Sequence, residues 1–490
     1  MKRKLFAALS FLLILTFIIP TLVSCSNNSD VQTSENSNTP DSDVQTSVED
    51  TLNMDVNYEG LSFNVLVTSK AKRAPVDFVY NDITTSVMDQ AIFDRNSIML
   101  DEYGVNIECV SDLGDKNKGY QTILSEHTSE DNTYQMCVLS GYDAAELTLD
   151  GALFDIKALP NINTLNTWWD QAAERDLSIS GSLYFTHGAL STVMDDFTYC
   201  VVFNKALYKA TVGNEIDVYE LVKQNKWTLD QMSTLAKSVK DDINGDQTMD
   251  SRDRYGLMIW DNELIAEVNA AGERIATIKD NGTVELTVHN ETINTVIDKF
   301  VTIGNSDYCI NFQHMSNHVA WFNMFTSDQV LFLMSMFNEV SRFRDMRTDY
   351  GILPNPKLSE EKEYYCPVSP WHSAFICVPL TIKDEDTVSN IIELMGYHSE
   401  KIITPAYYDK TLIGKYIRDN ESIDMLDLIF ANRVYDVGHL YRIASLQEHL
   451  TNLLRNNNPG GLSSTYQAHL DTANADIKEL NLQILILQNK

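Results

Sequence analysis

The sequence predicts an α/β protein with two lobes, and three observations support this prediction. Between residues 61 and 139 strand-like and helix-like segments alternate, which is the order of βαβ units in a parallel sheet. A second region with the same alternation runs from about residue 205 to 353. The chain has 490 residues, and a body of that order is too long for a single hydrophobic core.

The first lobe is expected to contain a parallel sheet. Apolar runs and period-two alternation predict its strands, and apolar residues on one helical face predict its helices. Trp168 and Trp169 follow one of these helices and are expected in the core or at its rim. The predicted strands are 61–67, 105–110, 134–139, 183–185 and 198–203, and the predicted helices are 85–103 and 120–126.

The second region shows the same signals, with one hairpin added. Asn281-Gly282 lies between two short apolar runs, which is a strong hairpin signal. After this region the chain returns to an apolar strand and ends in helices. The predicted elements are helix 228–239, strand 255–259, hairpin 274–288, strands 329–334 and 371–379, and helices 387–398 and 446–454.

The N-terminus reads as a lipoprotein export signal. Lys2, Arg3 and Lys4 precede an apolar stretch that ends in Leu22-Val23-Ser24-Cys25. Small residues before the cut suit a signal peptidase, and a cysteine after it supplies a thiol for lipid transfer. A transmembrane anchor is the alternative, but Pro20 and the short apolar stretch argue against it. We therefore expect a mature chain that begins at Cys25 and is held at the membrane by lipid.

Composition predicts a tether followed by an acidic body. The segment from Ser26 to about Asp55 is rich in Ser, Asn, Thr and Asp, and such a segment cannot repay its ordering entropy. The formal net charge is −32, and residues 1–24 hold three basic and no acidic side chains, so the mature chain carries −35. This charge argues against nucleic acid and anionic membrane surfaces as partners.

Six cysteines remain once Cys25 is assigned to the lipid. None of them lies in a CxxC or other metal-binding spacing, and several stand inside apolar strand-like runs. Buried free thiols are the favoured interpretation, and disulfides are the alternative.

One acidic loop has the spacing of a calcium site. Residues 242–253 place side-chain oxygens at positions 1, 3, 5, 9 and 12, with a backbone carbonyl at position 7, and Ca²⁺ takes six to eight oxygens at such spacing. Glycine stands at position 4 and not 6, and position 12 is the shorter Asp. An acidic surface turn is the alternative interpretation. The candidate ligands are Asp242, Asn244, Asp246, Thr248, Asp250 and Asp253, and the expected role of calcium is structural.

Several motifs, read in order, carry a resemblance to a known family. They are Gly151–Ile156, Trp168-Trp169-Asp170, Gly181–Phe185, Val201–Lys205, Lys226–Asp230, the calcium-type loop, Arg254–Leu257, Tyr350–Lys357 and Thr404–Tyr408. Together they resemble the extracellular solute-binding proteins of carbohydrate ABC importers, the maltose-binding-protein-like family, in its clostridial lipoprotein form. The resemblance spans about residues 60 to 450.

The resemblance implies a type II periplasmic-binding-protein-like fold, in which two lobes joined by a hinge close on a solute. An importer permease would then recognise the closed form. The implied boundaries are a signal peptide (1–24), a disordered tether (25–57), a first lobe (58–192) and a second lobe (193–366). They continue with a return to the first lobe (367–412) and C-terminal helices of the second lobe and hinge (413–490).

Candidate ligand contacts combine aromatic rings with carboxylates and amides, because sugars present both apolar faces and hydroxyls. Such mixtures follow predicted strands at four places, and the resemblance adds a fifth near the first crossover between lobes. The candidates are Tyr142, Asp143, Asp196, Phe197, Trp260, Asn262, Asn338, Glu339, Trp371 and His372. The adjacent Asp195 and Asp196 are expected on a strand, where their side chains would point to opposite faces.

Two other functional classes are weighed against a binding receptor. A surface glycan hydrolase would need two carboxylates across a cleft, and the sequence lacks GxSxG, HExxH and P-loop motifs. A calcium-dependent glycan-binding adhesin would repeat its calcium loop, and this loop occurs once. We therefore expect a non-enzymatic receptor for a sugar or oligosaccharide.

Overall fold

Most strands of the chain belong to two β-sheets. The chain begins with strands of the first sheet, continues with those of the second and then returns to the first. The computed structural model describes residues 52–68, 74–78, 86–111, 118–213, 215–315 and 320–489. The signal peptide, Cys25 and most of the tether lie outside these residues. The strands are β1 (Leu61–Val67), β2 (Val105–Ser111), β3 (Met136–Leu139), β4 (Tyr199–Asn204), β5 (Tyr255–Ile259), β6 (Ala276–Ile278), β7 (Val284–Leu286), β8 (Cys309–Asn311), β9 (Val330–Met336), β10 (Tyr350–Leu353), β11 (Cys366–Pro367), β12 (Phe375–Cys377) and β13 (Arg433–Val434).

Helices connect these strands and cover the sheets. Side-chain caps mark several of their starts, as where the Ser86 hydroxyl accepts from Asp89 N. The helices are α1 (Val87–Asp101), α2 (Lys118–Ser129), α3 (Gly141–Leu149), α4 (Gln171–Leu177), α5 (Val193–Asp196), α6 (Lys205–Thr211), α7 (Val218–Lys223), α8 (Leu229–Lys237), α9 (Glu263–Ala270), α10 (Glu291–Gly304), α11 (Ala320–Thr326), α12 (Glu385–Pro405), α13 (Asn420–Ala431), α14 (Val437–Leu440), α15 (Leu446–Arg455) and α16 (Leu462–Leu487). A π-helical segment, Ala406–Tyr416, follows α12. Within the described ranges, no helix combines the length and the apolar content needed to span a bilayer.

The first lobe contains the sheet with strand order β12-β3-β1-β2. β1 pairs in parallel with both β2 and β3, as the βαβ order predicts, and β12 joins β3 antiparallel. Helices α1 and α12 pack against each other in this lobe. The second lobe contains the sheet β10-β4-β9-β5-β8, in which β5 is parallel to β8 and β9 while β4 is antiparallel to β9 and β10.

Two segments of the first lobe refine the sequence prediction. Trp168 and Trp169 are buried, and both indole N–H groups donate to the Glu393 carboxylate on α12. The strand predicted at residues 183–185 is wrong, because this segment lies outside the sheets. It is held instead by single bridges on either side, including Thr186 to Ile376. Its apolar residues are buried against several elements. A short run of buried apolar residues has the same sequence pattern as a buried strand.

The connections between the lobes form what we call the hinge ribbon. β11 lies in the chain between the last strand of the second sheet and the last strand of the first, and it pairs in parallel with β13. Thr198, which precedes β4, bridges Val368 next to β11. Segments passing between the lobes therefore run side by side. The fold is the two-lobed, hinged α/β fold that the sequence predicts.

The six cysteines of the described residues are free thiols. Among the described residues, Cys137, Cys200, Cys309, Cys366 and Cys377 are buried free thiols and Cys109 is half-buried and free. Burial raises the pKa of the Cys109 thiol to about 11, and it raises the pKa of Cys200 as well. These thiols are therefore protonated and poorly nucleophilic at neutral pH.

Candidate functional site

The candidate site lies where strands of both sheets end. In the second sheet, β5, β8 and β9 are parallel, so the residues after them meet at one edge. Trp260 follows β5, Phe312 follows β8 and Asn338 follows β9. On the first lobe, Tyr142 follows β3 within the first turn of α3. These positions place aromatic and polar side chains at the carboxyl edges of both sheets.

Two groups of aromatic contacts, linked through the adjacent residues Trp371 and His372, form an aromatic series between the two lobes. The Tyr142 and Trp371 rings meet edge to face with centroids 5.8 Å apart. The next residue, His372, stacks on Phe197 at 5.1 Å with an interplanar angle of 16° and contacts Trp260 at 6.1 Å. All five aromatic residues predicted for the ligand site therefore lie close together. Tyr142, Trp260, Trp371 and His372 are half-buried, so part of each ring remains open to solvent.

The series continues into the second lobe through residues that the sequence did not single out. Phe312 contacts Trp260 at 5.9 Å and stacks on Trp321 at 5.3 Å. The Arg342 guanidinium lies 4.8 Å from the Trp321 ring and donates to Glu339 at 2.7 Å. Burial raises the pKa of Glu339, and Arg342 opposes that rise. The periodic sequence pattern around Phe312 and Trp321 is weak, because β8 has three residues and α11 has seven.

The polar candidates differ in their availability. The Asp143 side chain is buried and Asp196 accepts a hydrogen bond from the Tyr407 hydroxyl at 2.8 Å. Asn262 is half-buried and makes no cap hydrogen bond at the start of α9. Asn338 donates to Glu339 at 3.3 Å, while its buried Oδ1 has no partner in the described residues. Of these four polar candidates, Asn262 is therefore the one whose side chain is both partly exposed and without a cap bond.

The expected strand position of Asp195 and Asp196 is wrong. Both residues lie on the short helix α5, and their side chains engage separate partners. Asp195 pairs with Arg433 of the hinge ribbon, whereas Asp196 accepts from Tyr407. The buried turn between the lobes favours a helical conformation over an extended one here. Asp195 and Asp196 therefore hold in place the segment that crosses between the lobes.

Tyr142 is held in place by two basic side chains. Its hydroxyl shares a hydrogen bond with His439 Nε2 at 3.0 Å, and the Arg442 guanidinium lies 5.3 Å from its ring. Burial raises the pKa of Tyr142 to about 12, although Arg442 opposes the rise. Burial lowers the pKa of His439 to about 4, so the imidazole is neutral at pH 7. His372 is held in a similar way, by a 3.1 Å hydrogen bond between its Nδ1 and the Ser369 hydroxyl.

Asp261 stabilises the second-lobe side of the site through buried hydrogen bonds. Its carboxylate is fully buried. It accepts hydrogen bonds from Asn311 Nδ2 at 2.6 Å, His314 Nε2 at 3.2 Å and Arg455 Nε at 2.5 Å. These bonds tie β5 and β8 to α15. Asp261 therefore fixes the loop that carries Trp260, and its own oxygens are occupied.

Two buried carboxylates lie on α9, next to the hinge ribbon. Glu263 and Glu267 are one helical turn apart, and α9 packs against β11. Glu267 accepts from Asn355 Nδ2 at 2.7 Å, whereas neither oxygen of Glu263 has a partner in the described residues. Burial raises the pKa of Glu267 to about 8, and it raises that of Glu263 well above its usual range, with repulsion from Glu267 adding to the effect.

This buried pair predicts a pH-dependent stability. The folded chain keeps a proton on Glu267 up to about pH 8, whereas the unfolded chain releases it near pH 4.5, so stability falls as pH rises between these values. The loss is on the order of 1 kcal/mol per pH unit. Glu267→Gln keeps an acceptor for Asn355 and is expected to reduce the slope by about that amount, while Glu263 keeps its own contribution, as measured by urea unfolding at pH 5, 6.5 and 8. An unchanged slope in the variant would contradict this prediction.

The calcium-type loop at residues 242–253 forms an exposed turn after α8. Asp242 accepts from the backbone N–H groups of Gly245 and Gln247, and the fully buried Asp253 accepts from Ile243 and Asp250. Arg252 occupies the acidic side of the turn, donating to Asp250 at 2.5 Å and to Asp246 at 2.7 Å. The remaining predicted ligands, Asn244 and Thr248, take part in the same turn through Asn244 Oδ1 and the Thr248 N–H.

The donor set of this loop is rich in oxygen, as calcium requires, but its geometry differs from a coordination sphere. Across the part of the chain that the structure describes, no three His, Cys, Asp or Glu side chains group as a metal site. A bound cation would have to displace the Arg252 guanidinium from Asp246 and Asp250. Calcium binding at this loop stays a prediction.

Comparisons with known proteins identify the fold. No protein-family model and no curated protein matches the sequence. The galacto-N-biose-/lacto-N-biose I-binding protein of the ABC transporter from Bifidobacterium longum, in complex with lacto-N-biose, superposes with a TM-score of 0.58 at 9% identity, covering 86% of this chain and 98% of that chain. The cyclic alpha-maltosyl-1,6-maltose binding protein from Arthrobacter globiformis gives 0.56 at 11% identity, covering 85% and 99%.

A third solved structure gives the same result. The maltose/maltodextrin-binding domain MalE from Bdellovibrio bacteriovorus, bound to maltotriose, gives a TM-score of 0.54 at 12% identity, covering 85% of this chain and 100% of that chain. Each of these three proteins is named for binding a sugar. The chain therefore has the fold of sugar-binding proteins of ABC importers, over most of its length.

Proposed function

We propose that the chain is a membrane-tethered receptor that captures a sugar or oligosaccharide in the cleft between its lobes and delivers it to an ABC importer permease. The observation that carries this proposal is the series of half-buried rings that continues from Tyr142 and Trp371 to Trp260 and Phe312. Such rings offer apolar faces to a sugar ring, and the half-buried Asn262 offers an amide to its hydroxyls. The shared fold supports the same interpretation.

The N-terminal segment fits this role as the sequence predicts it. A lipid on Cys25 and a polar tether would keep the receptor near its permease while the lobes remain free to close. Closure would follow from contacts that the solute makes with both lobes at once. The tether and the lipid rest on the sequence alone.

A binding screen tests the proposal. The purified chain is incubated with mono- and oligosaccharides, and melting temperature, tryptophan fluorescence and sugar consumption are recorded. A receptor is expected to be stabilised by one class of sugar without turnover, because a ligand that binds only the folded state raises its stability. Stabilisation by no sugar would contradict the carbohydrate assignment. Turnover would favour the glycan hydrolase, and binding to polymer alone would favour the adhesin.

Structural calcium is a separate proposal with its own test. With a dissociation constant near 10⁻⁴ M, millimolar calcium would add about 1.4 kcal/mol of stability. We expect a melting temperature about 1–3 °C higher in calcium than in EDTA, and we expect Asp246→Asn to remove the difference. Asp280→Asn, at an exposed position of the β6–β7 turn, is the control and should keep it. Identical melting curves in calcium and EDTA would contradict the proposal.

A further inference from the structure

A cavity of about 380 Å³ lies beside the hinge ribbon and is distinct from the aromatic series. Arg175 on α4 lines it from the first-lobe part of the chain, and Arg274 and Thr277 line it from the β6 hairpin. Tyr365, just ahead of β11, and Asn432, just ahead of β13, complete the wall at the ribbon itself. Its volume is within the range of small-molecule sites.

Arg274 brings a positive charge to this cavity, and its guanidinium lies 6.0 Å from the Tyr365 ring. Its side chain is half-buried, and its N–H groups donate to the backbone carbonyls of Tyr435, Asn269 and Glu273 at 3.0, 3.2 and 2.6 Å. Its Nη2 donates to no described residue, and no described carboxylate lies within ion-pair distance. Burial lowers the pKa of Arg274. An arginine side chain nevertheless stays charged in proteins, so the cavity contains a guanidinium whose Nη2 can still donate a hydrogen bond.

The carboxylates close to Arg274 already accept hydrogen bonds from other donors. Asp436 accepts from the backbone N–H groups of Ile275 and Gly438. Asp176 accepts from Arg175 at 2.8 Å and from Tyr435 N at 2.9 Å. The Arg175 side chain is 60% exposed, so it can turn toward an incoming anion. Three arginines, Arg175, Arg274 and Arg433, and one carboxylate, Asp176, line the cavity, in a chain whose net charge is −32.

We propose that the cavity binds a small oxyanion, the carboxylate or phosphate group of a small molecule. Guanidinium groups match the planar or tetrahedral oxygens of such anions through paired hydrogen bonds. Arg274 and Arg175 both donate to the anion, and Thr277 and Asn432 offer further polar contacts. A bound anion would bridge the two lobes at the ribbon. It would therefore couple to cleft closure, and this coupling alone rests on the proposed function.

Direct titration tests the site without reference to any sugar. Inorganic phosphate and succinate are titrated calorimetrically into the purified chain at constant ionic strength, and the same titrations are repeated on three variants. Arg274→Gln is expected to weaken binding at least 10-fold, and Arg175→Gln about 5-fold. Because Arg175 is exposed, its variant keeps the fold and the test remains decisive if Arg274→Gln fails to fold.

Arg344→Gln is the matched control. Arg344 is 63% exposed and pairs with the following Asp345, just as Arg175 pairs with Asp176, but it lies away from the cavity. Its variant is expected to bind the anion as the parent chain does. Saturation by phosphate alone or by succinate alone would assign the anion class. Absence of saturable binding up to about 10 mM, or equal losses in Arg175→Gln and Arg344→Gln, would overturn the proposal.

Discussion

Trp260→Ala is expected to raise the dissociation constant for the bound sugar about 30-fold, which corresponds to about 2 kcal/mol. Trp260 is half-buried in the middle of the aromatic series, between His372 and Phe312. Its loss would remove a half-buried indole face available to a sugar and would interrupt the series between His372 and Phe312. The measurement is calorimetric titration with the sugar that emerges from the binding screen.

A second aromatic variant separates this effect from general instability. Tyr466 is also half-buried and stacks on a histidine, His289, with ring centroids 4.3 Å apart, but it lies on α16 and outside the aromatic series. Tyr466→Ala is expected to leave the dissociation constant within twofold of the parent. If Trp260→Ala binds the sugar as well as Tyr466→Ala does, the aromatic series is not the ligand surface.

The success of sequence reasoning at this site depended on element length. Trp260 follows a five-residue apolar strand that the sequence predicts at its observed bounds, Tyr255–Ile259. Phe312 and Trp321 belong to elements of three and seven residues, which are too short for a reliable periodic pattern. Arg342 reaches Trp321 only because α11 and the turn after β9 pack together, and one sequence does not reveal that contact.

The same reasoning explains the accuracy of the fold prediction. The run Leu61–Val67 and the β6–β7 hairpin were predicted because apolar patterning and the Asn281-Gly282 turn are local signals. Residues 183–185 were predicted as a strand for the same local reason, and there tertiary packing overrides it. The hinge ribbon pairs Cys366 with Arg433, whose pairing is set by the fold of both lobes and not by either segment. The lobe boundaries stay a prediction.

Arg433→Met is expected to lower the free energy of unfolding by about 3–5 kcal/mol, since it removes the cation that pairs with the mostly buried carboxylates of Asp170 and Asp195. The Arg433 guanidinium pairs with Asp195 and, at 3.3 Å, with Asp170. Burial opposes ionisation of Asp170, but the Arg433 guanidinium holds its pKa below the usual range. Burial also lowers the pKa of His187 to about 3, so this imidazole is neutral and cannot replace the guanidinium. Urea unfolding at pH 7 measures the loss.

Two further variants show whether the loss comes from uncompensated charge at the hinge ribbon. Adding Asp195→Asn to Arg433→Met is expected to recover part of the stability, because it removes one of the stranded carboxylates. Arg344→Met breaks an exposed pair and should cost less than about 1 kcal/mol. Equal costs for Arg433→Met and Arg344→Met would mean that the buried pair does not stabilise the ribbon. A large cost for Arg433→Met alone, relieved by Asp195→Asn, would instead show that Arg433 stabilises the hinge ribbon by compensating the charges of Asp170 and Asp195.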